Sequence, residues 1–269
     1  MSEVVSQAMI PADVVHDTLP EHDGRRASGG LLVAVQSLLL IIVAAVFVIT
    51  FCFQPFRIPS SSMEPTLLVG DFLLVNKQAI SGAERNPVLP GGEIRRGDVV
   101  VFHDPVDATL HLVKRVAGLP GDRIRLRAGH VFINGRAVQE PYAVYKPSEP
   151  DSFRDDFPRL QSADPDIDSR WWIRMRTLMD HGDLIIPAGD YFVLGDNRND
   201  SEDSRYWGFV PRAAIVGKPF LIYFSLGPHM SDADGTMQQT AEGQARRPVY
   251  LLDTVITFAR WSRTMRVVR

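Results

Sequence analysis

Three adjacent serines, Ser60, Ser61 and Ser62, are the first residues in the chain whose type and setting suggest covalent chemistry. They lie between Pro59 and Pro65. Proline fixes its own φ and biases the residue before it toward extended backbone, so the serines are held on a stiff segment. A serine hydroxyl held in this way can act as a nucleophile when a base lies nearby. Taken alone, the stretch also fits a Ser/Pro linker between an anchor and a soluble domain.

Lys114 is the candidate base, and it lies in the strand-like run 109–117. The two-residue period of a strand places Leu110, Leu112 and Val116 on the same face as Lys114. A lysine among aliphatic side chains is desolvated and loses its proton easily, and a neutral amine is what a lysine general base requires. The alternative is a lysine whose stem lies on apolar surface while its ammonium reaches water.

His111 is the competing candidate for the base, as in a Ser-His-Asp triad. The strand period places it on the face opposite Lys114, beside Arg115, which indicates a solvated histidine. The other histidines show no metal-ligand spacing. The sequence therefore predicts neither a metal nor another cofactor.

A third chemically dense stretch runs from Gly195 to Val210. It follows a strand-like run and packs turn formers, charges and hydroxyls before Arg205-Tyr206-Trp207. It fits a surface loop of solvated charges, but so many short polar groups also suit a hydrogen-bonded network around a site.

An apolar segment precedes all of these groups. From Leu31 to Phe53 the chain carries no charged residue and is long enough to span a bilayer, so we predict a transmembrane helix over residues 30–53. A cleaved signal peptide would have a shorter apolar core and a small-residue cleavage site after it. A buried core helix would not be apolar all round over this length. Residues 1–29 are polar and aperiodic, which predicts a disordered tail.

The charges that flank the apolar segment predict its orientation. Arg25 and Arg26 precede it and Arg57 alone follows it closely, so the positive-inside rule favours a cytoplasmic N-terminus. The predicted domain 54–269 would then lie outside the cytoplasm. The formal net charge of −3 provides no broad basic field, which argues against a nucleic-acid partner.

Short β-rich runs punctuated by Pro, Gly and Asp predict the fold after the anchor. We expect a mainly β domain, an antiparallel sandwich or distorted barrel. Asn134-Gly135 between two such runs predicts a hairpin. The acidic, proline-broken segment 141–187 predicts an insertion or small lobe. The strand-like runs lie at 71–75, 99–102, 109–117, 123–127, 131–133, 136–138, 191–194 and 219–224.

The C-terminal segment 249–269 has a helical pattern. At 100° per residue its apolar side chains Phe258, Trp261, Met265 and Val268 fall on one face, with three arginines opposite. This predicts an amphipathic helix on the membrane surface, with a frayed basic tail as the alternative.

Four blocks in order behind the apolar segment resemble the bacterial type I signal peptidases, also called leader peptidases. They are residues 59–67, 96–102, 114–122 and 195–210. The chain departs from the family pattern at Ser61, where the family often has glycine, and at Asn199-Asp200, which reverses the expected order. These departures concern loop geometry rather than the residues with chemical roles.

The resemblance implies roles for six residues. Ser62 would be the nucleophile and Lys114 its general base, in a Ser-Lys dyad. The Ser60 hydroxyl and the Ser62 backbone N–H would form the oxyanion hole. Ser201 would orient the Lys114 amine, and Asp203 would pair with Arg205.

The implied activity is that of a membrane-bound serine endopeptidase. It would cleave signal peptides from exported preproteins after small residues, at the outer side of the inner membrane, without metal or cofactor. A self-cleaving repressor-type protease shares the dyad, but the anchor and the block 195–210 argue against it. A membrane-anchored β module that binds extracytoplasmic peptides without catalysis is the non-enzymatic alternative.

Overall fold

A computed structural model of the protein describes residues 25–78, 92–149, 151–160, 165–227 and 258–268. Of the predicted tail 1–29, residues 1–24 lie outside the described residues, whereas residues 25–29 are helical, which corrects the predicted end of the tail. The first part of the predicted C-terminal helix, 249–257, also lies outside the described residues. The described strands form antiparallel sheets, which confirms the predicted mainly β fold.

Helix α1 spans Arg25–Phe51. From Gly30 to Phe47 it has no charged residue and every side chain is exposed, and it is the one described helix long and apolar enough to cross a membrane. Its end corrects the predicted boundary at residue 53, because Phe53 is already a strand residue paired with Asn76. The cause is Pro55, which cannot donate a helical hydrogen bond and favours extended backbone before it.

The larger sheet carries the residues of interest for chemistry. Among the described residues its strand order is β1-β2-β12-β3-β4-β10-β11, with β13 paired to β12. Its buried side chains form two apolar clusters, which include Leu73 and Val101 in one and Phe102 and Val193 in the other. The strands are β1 Phe53–Arg57, β2 Asp71–Asn76, β3 Val99–His103, β4 His111–Gly118, β10 Asp190–Leu194, β11 Val210–Pro211, β12 Ile215–Ser225 and β13 Arg266–Val267.

The smaller described sheet has the order β7-β6-β5-β9-β8. The predicted hairpin is confirmed between β6 and β7, where Asn134 and Gly135 have φ of 51° and 79°. Both values lie in the left-handed region, as a two-residue hairpin turn requires. The strands are β5 Arg123–Arg127, β6 His130–Ile133, β7 Arg136–Ala137, β8 Met179–Asp180 and β9 Asp183–Ile185.

The predicted insertion 141–187 contributes helices α2 (Ser152–Asp155) and α3 (Ser169–Thr177) and the strands β8 and β9. Strand β9 pairs with β5, so the insertion completes the smaller sheet. Its side chains Phe157, Trp171 and Met175 share one core with that sheet. The short helix α4, Ser204–Trp207, follows β10.

The described part of the C-terminal segment, 258–268, corrects the predicted amphipathic helix. It forms a 3₁₀ turn at Trp261–Arg263 and the strand β13, which pairs with β12. Arg263 is buried instead of facing solvent, and its guanidinium binds the fully buried Asp71 carboxylate at 2.5 Å. This long-range ion pair and the strand pairing outweigh the local helical period, and the positive φ of 62° at Met265 ends any helical path.

Candidate active site

The three serines lie on the loop between β1 and β2. Backbone hydrogen bonds close its base: Ile58 N donates to Asp71 O at 2.9 Å, and Gly70 N donates to Ile58 O at 2.9 Å. Met63 and Leu67 are buried beneath the loop. The loop is therefore packed on the sheet instead of acting as a linker, and it holds Ser62 at 7% exposure.

Lys114 lies near the middle of β4 and points inward, as the strand period predicts, with 4% of its surface exposed. Leu112 is half-buried on the same face, whereas Leu110 is 52% exposed and lies before the strand. Burial lowers the pKa of Lys114 from its ordinary 10.5 to about 8, although the carboxylate of Asp203 opposes this shift.

A chain of hydrogen bonds connects Lys114 to a buried ion pair. Lys114 Nζ donates to Ser201 Oγ at 3.0 Å, and Ser201 Oγ donates to Asp203 Oδ2 at 2.9 Å. Arg205 binds both oxygens of Asp203 at 2.8 Å, from Nε and Nη2. Burial raises the pKa of Asp203, but the charge and hydrogen bonds of Arg205, together with Lys114 and the Gly195 N–H, outweigh burial and hold the pKa below its ordinary value. Asp203 is therefore a carboxylate at neutral pH.

The dyad candidates and the oxyanion candidates face one cavity of about 470 Å³. Ser60 Oγ and Ser62 Oγ lie 3.4 Å apart. Among the described residues, the hydrogen bond of Lys114 Nζ goes to Ser201 rather than to Ser62. The cavity is lined in part by Ser60, Ser62, Leu112, Lys114, Ser201 and Trp207.

His111 does not belong to this group. It is exposed, and its ring contacts the rings of His103 and Phe56 in tilted arrangements, with centroids 4.4 Å and 5.2 Å away. Partial burial and the neighbouring His103 lower its pKa. It is not among the residues that line the cavity, which leaves Lys114 as the base candidate beside the serines.

A second buried ion pair, which was not predicted from the sequence, is hydrogen-bonded to the loop between β1 and β2 that carries the serines. Arg115 binds Asp196 through Nε at 2.8 Å and Nη2 at 2.7 Å, and the Thr66 hydroxyl donates to the same carboxylate at 2.6 Å. Arg115 was expected on a solvated face, but it is 4% exposed. The density of polar groups at 195–210 was the available signal, but no local pattern links Arg115 to a partner 81 residues away.

Gly195 explains how the two loops approach each other. A Cβ at this position would lie 2.3 Å from Ser201 Oγ and 2.5 Å from the carbonyl oxygen of Ser62. A larger side chain would force the loops apart, so glycine is required by the packing.

The two departures from the family pattern contact each other. The Ser61 hydroxyl donates to the Asp200 carboxylate at 2.5 Å, and both residues line the cavity. A glycine at position 61 has no group to make this contact.

The chain is similar in sequence to known signal peptidases. A family model described as signal peptidase, peptidase S26, matches residues 31–224. The signal peptidase I of Pseudomonas fluorescens is 41% identical over 192 residues, which cover 65% of this chain and 66% of that protein. The signal peptidase I of Pseudomonas aeruginosa is 41% identical over 200 residues, which cover 68% and 69%. A crystal structure of a signal peptidase I from Enterococcus faecalis is 32% identical, covers 47% of this chain and 96% of that one, and has a TM-score of 0.34.

Proposed function

Because the chain belongs to the signal peptidase family, peptidase S26, we propose that it removes signal peptides from exported preproteins with Ser62 as nucleophile and Lys114 as general base. The predicted serine endopeptidase activity is confirmed by the family. The observation that carries the residue roles is a buried lysine whose pKa is lowered to about 8, in one cavity with a buried serine.

Acylation begins when neutral Lys114 takes the proton of the Ser62 hydroxyl as Oγ attacks the carbonyl carbon before the scissile bond. Ser201 supports this step. Its hydroxyl accepts one N–H of Lys114 and donates its own hydrogen to Asp203. This contact holds the amine nitrogen in place beside the cavity, and the lone pair of the neutral amine remains available to the nucleophile.

The tetrahedral intermediate carries a negative oxygen. The Ser60 hydroxyl and the Ser62 backbone N–H are the proposed donors, and the 3.4 Å separation of the two serine hydroxyls keeps Ser60 within reach. The C–N bond then breaks, and the leaving amine takes the proton from Lys114. Water next attacks the acyl ester while Lys114 takes a proton from that water, and the ester C–O bond then breaks as Lys114 returns the proton to Ser62 Oγ.

The proposed substrates are preproteins with small residues at the first and third positions before the cut. We place the protein in the inner membrane, with its N-terminus in the cytoplasm and residues 54–269 on the outer side. The uncharged stretch 30–47 supports the anchor, and Arg25 and Arg26 support the orientation. Protease added outside intact spheroplasts should degrade the β domain, and full protection would contradict this orientation.

The direct test is cleavage of a purified preprotein by the detergent-solubilised chain, with N-terminal sequencing of the product. We expect one cut after a small residue that follows the apolar core of the signal peptide. A serine-directed acylating probe separates this function from a peptide-binding module. Stoichiometric labelling at Ser62 supports the enzyme, and an unlabelled Ser62 with bound, uncleaved peptide would support the module.

A further inference from the structure

Asn197 contacts the backbone on both sides of the proposed nucleophile. We propose that it is a positioning residue, which orients the Ser62 backbone N–H toward the oxyanion of the reaction. This inference rests on the proposed function, since it assigns a task only if Ser62 is the nucleophile. No role was assigned to Asn197 from the sequence.

The contacts of Asn197 come from both its main chain and its side chain. Its backbone N–H donates to the carbonyl oxygen of Ser62 at 3.1 Å. Its side-chain Nδ2 donates to the carbonyl oxygen of Ser61 at 3.2 Å and to Asp200 Oδ2 at 3.2 Å. Both partners of Nδ2 are acceptors, so the reverse orientation of the amide would place its oxygen against two oxygens. The chemistry of the site therefore determines the direction of the amide.

The link to catalysis is the planarity of the peptide bond. The Ser61 carbonyl and the Ser62 N–H belong to one trans peptide group, so they point in opposite directions from one plane. A donor that holds the Ser61 oxygen therefore also sets the direction of the Ser62 N–H. Among the described residues, that N–H has no hydrogen-bond acceptor, which leaves it available to a substrate oxygen.

Glu64 and Asp200 also restrain the peptide group between Ser61 and Ser62, the first directly and the second through side chains. Glu64 N donates to the Ser61 oxygen at 3.0 Å, as part of the local turn. Asp200 accepts from both Asn197 Nδ2 and the Ser61 hydroxyl, so one carboxylate ties the amide to the serine before the nucleophile. Asn197 is fully buried and is not among the described residues that line the catalytic cavity. It therefore acts through Ser61 and Ser62 and does not contact the substrate.

The test compares Asn197→Ala with Asn76→Ala in the full-length chain. Asn76 is a control of the same residue type at the end of β2, because its side-chain oxygen accepts from Gln78 N at 2.9 Å and it does not line the cavity. Complete loss of an oxyanion donor costs about 10²–10³ in kcat. In Asn197→Ala the Ser62 N–H is still present, and the Glu64 N–H still donates to the Ser61 oxygen. We therefore expect a smaller fall of about tenfold in kcat, with KM unchanged. The control should retain the wild-type kcat.

Two readouts separate positioning from a general loss of structure. The acidic limb of the pH profile should stay at its wild-type position, because Lys114 and its neighbours are untouched. A peptide boronate, which forms a tetrahedral adduct on the serine, should bind Asn197→Ala about tenfold more weakly, because its oxygen occupies the oxyanion hole. A second variant, Asp200→Asn, changes an exposed side chain and weakens the hydrogen bond that its carboxylate accepts from Asn197 Nδ2. It should show the same pattern with a smaller loss.

A kcat and a boronate affinity of Asn197→Ala equal to those of Asn76→Ala would overturn the proposal. So would a rise in KM at constant kcat. If Asn197→Ala does not fold, an unchanged kcat and boronate affinity in Asp200→Asn would overturn it. A wild-type chain that neither cleaves preprotein nor labels at Ser62 would instead remove the proposed function, before any variant is compared.

Discussion

Replacing Ser62 or Lys114 by alanine is expected to abolish preprotein cleavage while the protein remains folded. The reason is that each residue supplies a step the other cannot: one forms the covalent bond and the other moves the proton. When such a pair acts as a unit, loss of either member costs about 10⁴-fold or more in kcat. The measurement is single-turnover cleavage of a preprotein by each purified variant.

Two variants serve as controls: Lys218→Ala controls for the loss of a lysine elsewhere in the chain, and Lys114→Met controls for the stability of the fold. Lys218 forms a partly exposed ion pair with Asp98, and such pairs contribute little to stability, so full activity is expected there. Lys114→Met retains the apolar stem and removes the buried amine, so it should be inactive without being less stable than the wild type. Turnover by Ser62→Ala or Lys114→Ala above background, in a sample free of wild-type protein, would contradict the dyad.

The sheets of this protein were predictable where local signals were strong. The strand β5 has the predicted bounds, and Asn134-Gly135 identified the hairpin between β6 and β7 because both residues tolerate positive φ. The strands β8 and β9 were missed because they have two and three residues, too few to display a period of two. Their place in the sheet depends on pairing with β5, which is far away in the sequence.

The sequence predicted the two dyad residues but not two of the buried ion pairs in the domain. The strand period alone placed Lys114 inward, and the resemblance to a family placed Ser62 beside it. Arg115, Asp196 and Arg263 were beyond reach because each is buried by a partner from a distant part of the chain. A buried charge needs such a partner, but no local pattern says which residue will be that partner.

Activity is expected to rise as the pH increases through about 8, because only the neutral form of Lys114 can accept the serine proton. Burial lowers the pKa of Lys114 from 10.5 to about 8. At pH 7 about a tenth of the molecules would then carry the neutral amine, against less than about one in a thousand for an unperturbed lysine. The measurement is the pH dependence of kcat/KM, which reports ionisations of the free enzyme.

The same shift predicts how stability depends on pH. The folded state binds the Lys114 proton more weakly than the unfolded state, so the unfolded state holds more protons between pH 8 and 10.5. The cost of burying the ammonium, roughly 3 kcal/mol, is therefore fully present below pH 8 and is relieved as the pH rises through this window. Lys114→Met should lack this dependence, and the difference in the free energy of unfolding between it and the wild type should shrink over the same range.

Lys114→Arg provides the sharpest contrast. Arginine retains the positive charge and much of the stem, but it stays protonated at any working pH and cannot act as the base. We therefore expect no cleavage from pH 6 to 10, because raising the pH cannot convert the arginine to a neutral base. An active Lys114→Arg variant, or a wild-type limb near the ordinary lysine pKa of ~10.4, would remove Lys114 as the base. His111 would then be the next residue to replace, although its exposed ring contacts His103 and does not line the catalytic cavity.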